Sequence, residues 1–333
     1  MERRPRIGFI GCGRHATRVL YPSLALLDVD LVAVACREAE RAERTARRFG
    51  ARRWYGDHRA LLAGEGELDG VVVAVPAPAY GAILDDVIAR GVACWAEKPA
   101  AASAAEAEQL AVAASKAGVP VLVGFMKRFA TAYRLMADQI AAPTFGRPTY
   151  FEGRFSMGGG LYGDDYTFLV DNSIHLVDLA RWLMGDVADL DVRRTAGPEG
   201  RVAYAVVLGF TDGAVGSLHL STMRSWRADN ERVEVTGVGP SVAVENLVRV
   251  VGTTADGAPG TFWEPNFSVP IDENRTIVLA GYVPELAHFI DVVQGDQEPQ
   301  VGLRDAVEAL RLIDRIYDAG GAGPRPARTS AAW

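Results

Sequence analysis

The stretch Asp171-Asn172-Ser173-Ile174-His175-Leu176-Val177-Asp178 is expected to open a helix that runs to Met184 and stops at Gly185. Asp171, His175 and Asp178 are spaced i, i+4 and i+7, so a helix projects them from one face. Histidine is the side chain best matched to take a proton near neutral pH. A carboxylate beside it holds its tautomer and favours the imidazolium, which is the arrangement of a general base with its orienting partner. The plainer alternative is that Asp171 or Ser173 caps the helix while His175 is a satisfied core residue. His15, His58, His219 and His288 lack such company. A second reactive group is Lys98 in Glu97-Lys98-Pro99. Only Lys98, Lys116 and Lys127 are lysines among 35 basic residues. Guanidinium stays charged, so a lysine kept in so arginine-rich a chain is the better carrier of chemistry. Its ammonium can stabilise a developing alkoxide or polarise a carbonyl; the alternative is an ordinary Glu–Lys loop pair.

The elements that must position these groups alternate in type. Arg6-Ile7-Gly8-Phe9-Ile10, Leu31 to Ala35, Val71 to Val75, Val92 to Trp95 and Val119 to Gly124 are apolar runs. Helical stretches separate them, including Glu38 to Phe49 and Ser103 to Ala117, the latter with a capping box at Ser103 and Glu106. Continuous apolar strands alternating with helices predict a doubly wound parallel sheet, the Rossmann α/β arrangement. Beyond residue 124 a helix is expected over Lys127 to Ile140. Runs such as Ala203 to Phe210 and Gly213 to Ser221 then predict an α+β domain with an open, mainly antiparallel sheet, followed by helices over Pro284 to Gln294 and Leu303 to Asp318. The expected domains are 1–124 and 125–333.

Gly11-Cys12-Gly13-Arg14-His15-Ala16 lies between the first strand and the first helix. Glycines there permit a tight turn and close backbone approach, so that a pyrophosphate meets the helix N-terminus. In this strand–turn–helix setting the pattern predicts a dinucleotide site. An acid at the end of the second strand would bind the ribose 2′-hydroxyl of NAD. Here the strand ends Ala35-Cys36-Arg37. Without the carboxylate a 2′-phosphate is not repelled, and Arg37 can pair with it bidentately. NADP is therefore the preferred cofactor and NAD the alternative, the latter with Arg37 solvated and Glu38 reaching the ribose. Glu97 and Lys98 follow a parallel strand at its carboxyl end, where such sheets bind ligands. There Glu97 can orient the nicotinamide amide or tune Lys98.

The chain has 333 residues, of which 49% are hydrophobic and 23% charged, an ordinary globular composition that excludes a disordered or fibrous protein. A net charge of −7 argues against nucleic acid as a partner. No apolar run approaches the ~20 residues that span a bilayer. Met1-Glu2-Arg3-Arg4-Pro5-Arg6 has no long apolar segment behind it, so a signal peptide is not expected. Cys12, Cys36 and Cys94 are too few and scattered for a disulfide framework or a zinc site. No metal is expected, and the expected location is the cytoplasm.

These residues together resemble the glucose–fructose oxidoreductase / inositol dehydrogenase / rhizopine-catabolism (Gfo/Idh/MocA) family of dehydrogenases. The resemblance rests on the glycine loop, Glu97-Lys98-Pro99, Phe125-Met126-Lys127-Arg128-Phe129, the block Asp171 to Asp178 with Leu179 to Asp186, and Gly281-Tyr282-Val283-Pro284-Glu285-Leu286-Ala287-His288-Phe289. It implies a Rossmann domain followed by an α/β domain whose open sheet mediates homodimers or homotetramers. It also implies reversible hydride transfer between a nicotinamide and a secondary alcohol or ketone of a sugar, amino sugar or cyclitol. Lys98, Asp171 and His175 match the family's catalytic positions. Cofactor contacts are expected at Gly11, Cys12, Gly13, Arg14, His15, Cys36, Arg37, Val75, Pro76, Glu97 and Lys98. Substrate contacts are expected at Lys98, Arg128, Asp171 and His175, with Tyr162, Asp164, Asp165 and Trp263 as further loop positions. Two departures stand out: Cys36 replaces the family's usual aspartate, and Val75-Pro76-Ala77-Pro78-Ala79-Tyr80 lacks its threonine and histidine. Two other activities fit the same residues. One is a glycoside hydrolase working by transient oxidation on a bound nicotinamide, and the other is a non-catalytic dinucleotide sensor.

Overall fold

The computed structural model describes residues 3–158, 164–224, 231–268 and 271–326; Tyr162 lies outside them. The chain forms two units. Among the described residues, the first comprises those up to Phe125 together with Tyr282–Glu308, and the second comprises Met126–Gly281 and 309–326. The single boundary expected near residue 124 therefore misses a return. The helix Tyr282–Gln294 belongs with the first unit because Leu286, Phe289, Ile290 and Val292 are buried in the core that Ile7, Phe9, Tyr21 and Trp95 build.

In the first unit six parallel strands lie in the order β3-β2-β1-β4-β5-β6. They are β1 (Arg6–Ile10), β2 (Asp30–Ala35), β3 (Arg53–Tyr55), β4 (Gly70–Val73), β5 (Ala93–Glu97) and β6 (Val121–Gly124). Val71, Val72, Val73, Cys94, Trp95 and Ala96 are fully buried, as strands covered by helices on both faces must be. After β1 a turn widened to i→i+5 hydrogen bonding (Ala16–Leu20) leads into α1 (Tyr21–Leu24), and α2 (Ala39–Phe49) follows β2. The Tyr21 ring is stacked between Phe9 and Phe49, with centroids 3.9 and 4.7 Å away. Helices α3 (His58–Gly64), α4 (Tyr80–Arg90) and α5 (Ala104–Ala117) complete the crossovers. At α5 the Ser103 hydroxyl accepts the Glu106 amide at 3.2 Å, while the Glu106 carboxylate accepts the Ala102 amide at 2.5 Å. The capping box thus closes one residue earlier than the usual reciprocal pair.

In the second unit eight strands lie in the order β14-β13-β12-β11-β7-β10-β9-β8. They are β7 (Tyr150–Ser156), β8 (Val187–Ala196), β9 (Val202–Phe210), β10 (Val215–Ser221), β11 (Glu231–Thr236), β12 (Ser241–Glu245), β13 (Arg249–Thr253) and β14 (Pro259–Trp263). All neighbours are antiparallel except β7 and β10. Along β9, Val202, Tyr204, Val206, Leu208 and Phe210 are buried on the face that α6 (Thr131–Ala141) and α8 (Ile174–Met184) cover. The alternate positions form an open face on which Val207, Val215 and Tyr150 are exposed. The helix expected from Lys127 starts later. Met126–Phe129 is a tight 3-10 turn, and α6 begins at Thr131. The later helices are α9 (Thr276–Leu279), α10 (Tyr282–Gln294) and α11 (Leu303–Ala319).

Candidate active site

Three loops leave the carboxyl ends of β1, β4 and β5 in the first unit, the edge where open α/β sheets hold ligands. Gly11 has φ +121°, and a Cβ there would stand 2.0 Å from the Ala74 carbonyl oxygen, so only glycine lets β1 and β4 approach this closely. A Cβ on Gly13 would meet nothing within 4 Å. Its bare backbone faces open space, as a pyrophosphate seat requires. The helix takes its first intrahelical bond from Thr17 to Gly13 at 3.0 Å, which leaves the preceding amides for an anion. Cys12 is buried, Arg14 exposed and His15 half-buried. At β4 the Val75 amide donates to the Tyr80 hydroxyl at 3.4 Å, and Pro76 turns the chain.

At β5, burial pushes the Glu97 carboxyl up to about 7, against the pull of the Lys98 charge. Burial and, to a smaller degree, the Lys98 charge lower His15 to about 4. His15 Nε2 lies 3.9 Å from Glu97 Oε1, and Tyr282 tilts over the imidazole at 5.6 Å. His15 Nε2 and Glu97 Oε2 are buried with no hydrogen-bond partner. Such atoms suit a ligand that both donates and accepts, as a carboxamide does. With the bare Gly13 backbone, they fit a nicotinamide dinucleotide. Local spacing shows His15 no acidic neighbour, because Glu97 lies 82 residues away in the chain. His58 likewise finds Asp86 at 2.9 Å.

At the end of β2 Cys36 is half-buried and Arg37 exposed, and no described carboxylate pairs with Arg37. Glu38 is engaged by Arg41 at 3.1 Å.

In the second unit the block Asp171 to Asp178 does not open its helix. Asp164 does, its carboxylate accepting the Thr167 amide at 2.7 Å at the start of α7 (Asp165–Phe168). The chain then passes through a second i→i+5 turn, Leu169–Ser173, and continues as α8. Neither Asp171 nor Ser173 is the cap, and the buried Ser173 hydroxyl has no partner. Asp171 is buried in the widened turn and His175 half-buried one turn on. Turns of this kind recur at functional sites. Asp178 belongs to a different contact, because Arg128 places Nε 2.8 Å from Oδ2 and Nη2 2.5 Å from Oδ1.

Arg128, expected to contact substrate, has a side chain 8% exposed and forked onto a carboxylate that is 1% exposed, a contact that holds α8. Asp164 is the cap just described, and Asp165 accepts from Arg194 at 2.7 Å and Tyr204 at 3.1 Å. Lys127 is tied to Glu231, which also accepts from Tyr133 at 2.7 Å. Trp263 ends the edge strand β14. No described group of three or more His, Cys, Asp or Glu is arranged to hold a metal, and no described helix is long and apolar enough to cross a membrane.

The two units are those of a dinucleotide-dependent oxidoreductase. Residues 5–125 match the oxidoreductase family's NAD-binding Rossmann fold, and residues 138–321 match its C-terminal alpha/beta domain. The chain belongs to the Gfo/Idh/MocA oxidoreductase family. It is 26% identical to D-apiose dehydrogenase of Paraburkholderia graminis, over 95% of this chain and 87% of that one. It is 28% identical to scyllo-inositol 2-dehydrogenase (NAD(+)) of Bacillus subtilis, over 94% and 93%. The structure of GenD2 from gentamicin A biosynthesis, in complex with NAD, superposes with a TM-score of 0.77 at 25% identity, over 97% of this chain and 96% of that one.

Two predictions follow from the buried charges. Replacing Arg128 by Met strands Asp178 and is expected to cost about 3–5 kcal/mol. Adding Asp178→Leu should recover much of that loss, as denaturant unfolding of the single and double variants would measure. The second concerns pH. Glu97 is raised above its unfolded value of 4.5, so its contribution is complete below that pH and is lost as pH rises through about 7. His15 is lowered from 6.5, so its contribution is complete above that pH and is lost as pH falls through about 4. The two slopes oppose each other over one window. His15→Asn should therefore lose stability between pH 4.5 and 7, by at most about 3 kcal/mol, while Glu97→Gln should gain it. Parallel slopes in the two variants would refute the opposed effects of burial on the two groups.

Proposed function

We propose that the protein is an NAD(P)-dependent dehydrogenase that oxidises a secondary alcohol of a sugar, amino sugar or cyclitol, and reduces the ketone in reverse. The observation that carries this reading is Lys98 beside the half-buried Glu97, at the carboxyl end of β5 in a sheet whose glycine loop is open to a dinucleotide. The names of the inositol and apiose dehydrogenases support a polyol substrate.

A nicotinamide held there would supply the hydride acceptor. His175 takes the hydroxyl proton, and Asp171 orients the imidazole and favours its protonated form. Lys98 stabilises the negative charge growing on the carbinol oxygen. Gly11, Cys12, Gly13, Arg14 and His15 would hold the pyrophosphate side, with Val75 and Pro76 lining the turn beyond β4. Glu97 and His15 would meet the carboxamide. Cys36 and Arg37 favour NADP, because a thiol does not repel a 2′-phosphate and Arg37 has a free guanidinium to offer it. The open face of the second unit's sheet is where a second copy would dock, and light scattering of the purified protein reads the assembly.

His175→Ala is expected to lower kcat by about 10²–10⁴-fold with little change in the Kd for cofactor. Normal turnover would remove His175 from the mechanism. Cys36→Asp should move the ratio of kcat/KM toward NAD by on the order of tenfold, ~1.4 kcal/mol, and a flat ratio would refute the phosphate readout. The reading itself is tested by absorbance at the nicotinamide band with NAD and NADP offered separately against a panel of sugars, amino sugars and inositols. Tight cofactor binding with no net reduction would point instead to hydrolysis by transient oxidation, or to a sensor where no glycoside is cleaved.

A further inference from the structure

Cys12 and Cys36 sit just past the carboxyl ends of neighbouring strands. β1 and β2 run in parallel register with Ile10 opposite Ala35, and the Gly11 amide donates to the Ala35 carbonyl at 2.9 Å. The glycine loop and the end of β2 therefore leave the sheet side by side. Cys12 is buried against Tyr21, whose hydroxyl oxygen is 3.9 Å from the Cys12 sulfur and donates to the Gly11 carbonyl at 3.0 Å. Cys36 is half-open to solvent and packs against the same core cluster that holds Cys12, Tyr21 and Ala46.

We propose that Cys12 and Cys36 form a peroxide-reactive dithiol whose oxidation to a disulfide closes the ribose end of the cofactor site. The closure rests on the dinucleotide reading above; the thiol chemistry does not. The Cys36 thiolate attacks one peroxide oxygen, the O–O bond breaks, and hydroxide leaves to become water. The resulting sulfenic sulfur is attacked by the Cys12 sulfur. The S–S bond forms as the S–O bond breaks, and the Cys12 proton departs with hydroxide as a second water. Two thiols lose two electrons, and one hydrogen peroxide becomes two waters.

The surroundings divide the two roles. The groups facing the pair are Tyr21 from α1, Thr45 and Arg41 from α2, and Glu38 ahead of it. A hydrogen bond from Cys12 lowers Cys36 to about 6, helped by the Glu38 amide and the Arg41 charge against burial and the Glu38 carboxylate. Cys12 is pushed up by its bond to Cys36 and by burial. Cys36 is thus the attacking thiolate and Cys12 the resolving thiol. Cys94, fully buried in β5 and pushed up by that burial, serves as an unreactive internal reference. A disulfide replaces the contact between the thiols with a bond of about 2.05 Å. It would pull the glycine loop and the end of β2 together, along the backbone where pyrophosphate and ribose are proposed to lie.

The test uses the full-length protein. NADPH and NADH are titrated by fluorescence before treatment with hydrogen peroxide, after it, and after dithiothreitol, with peptide mapping at each stage. A Cys12–Cys36 cross-linked peptide, unmodified Cys94, Kd weakened by at least about tenfold and recovery with dithiothreitol are expected. Bound NADPH should slow the cross-link, and Cys36→Ser should keep its own Kd unchanged by peroxide. Absence of the cross-link, or loss of affinity that persists in Cys36→Ser, would overturn the dithiol. A cross-link with unchanged Kd would overturn the closure alone. A reduced protein that binds neither dinucleotide would overturn the cofactor reading and the closure with it, whether or not the cross-link forms.

Discussion

Taking charge out of water is costly unless a partner goes with it, and this constraint organises both units. Arg128 is forked onto Asp178, Lys127 and Tyr133 converge on Glu231, and Arg194 and Tyr204 converge on Asp165. Buried pairs of this kind add little net stability over packed apolar residues. Their consequence is placement, since removing either member leaves a stranded charge. The 3-10 turn at Met126–Phe129 is fastened by two such contacts in succession. Arg128 holds α8 and Lys127 holds the first residue of β11. Glu97 and His15 depart from the rule. Each keeps a buried polar atom without a partner, and each responds by giving up its charge, the carboxyl rising toward 7 and the imidazole falling toward 4. These two atoms stand bare at the sheet edge where a ligand belongs.

The parallel sheet was readable because its signal is local. Four or five consecutive apolar residues ending at a glycine or proline can do little but cross a core, and the glycine loop follows the first of them directly. The same reasoning misses β3, only three residues long and mostly exposed, and α3 behind it. It also divides the chain once where the fold returns, because nothing in Tyr282–Gln294 states which apolar surface its buried face will join. Lys98, Asp171 and His175 are proposed from residue type and short spacing. Spacing could not find the partners that define the rest of the site. Arg128 and Asp178 are 50 residues apart, and Lys127 and Glu231 are 104 apart. A pattern that reads one or two helical turns is blind at that range, so the carboxylate partners of Arg128 and Lys127 are not legible in the sequence.

The second unit shows how a local rule can be right in chemistry and wrong in place. Asp171, Ser173 and Asp164 are all competent caps. The chain uses Asp164, and that choice moves the helix start upstream and puts Asp171 inside the helix. The i→i+5 turn then takes up extra residues in one revolution, so Asp171 and His175, four apart, stay close to the same side. An interior carboxylate in a helix has given up the capping bond that would have explained it as structure.

Cys36 joins two properties that an aspartate would separate. A carboxylate at the end of β2 binds ribose hydroxyls and repels a 2′-phosphate, and its charge would also raise the pKa of a thiol beside it. A thiol in that place lifts the repulsion and puts a second sulfur next to Cys12, at a point where Arg41 and the Glu38 amide favour the thiolate. The tolerance of phosphate proposed for the site and the sensitivity to oxidants proposed for it therefore have one origin. A substitution that restored the acid would be expected to remove both together, which ties the cofactor preference of this chain to its redox chemistry through a single side chain.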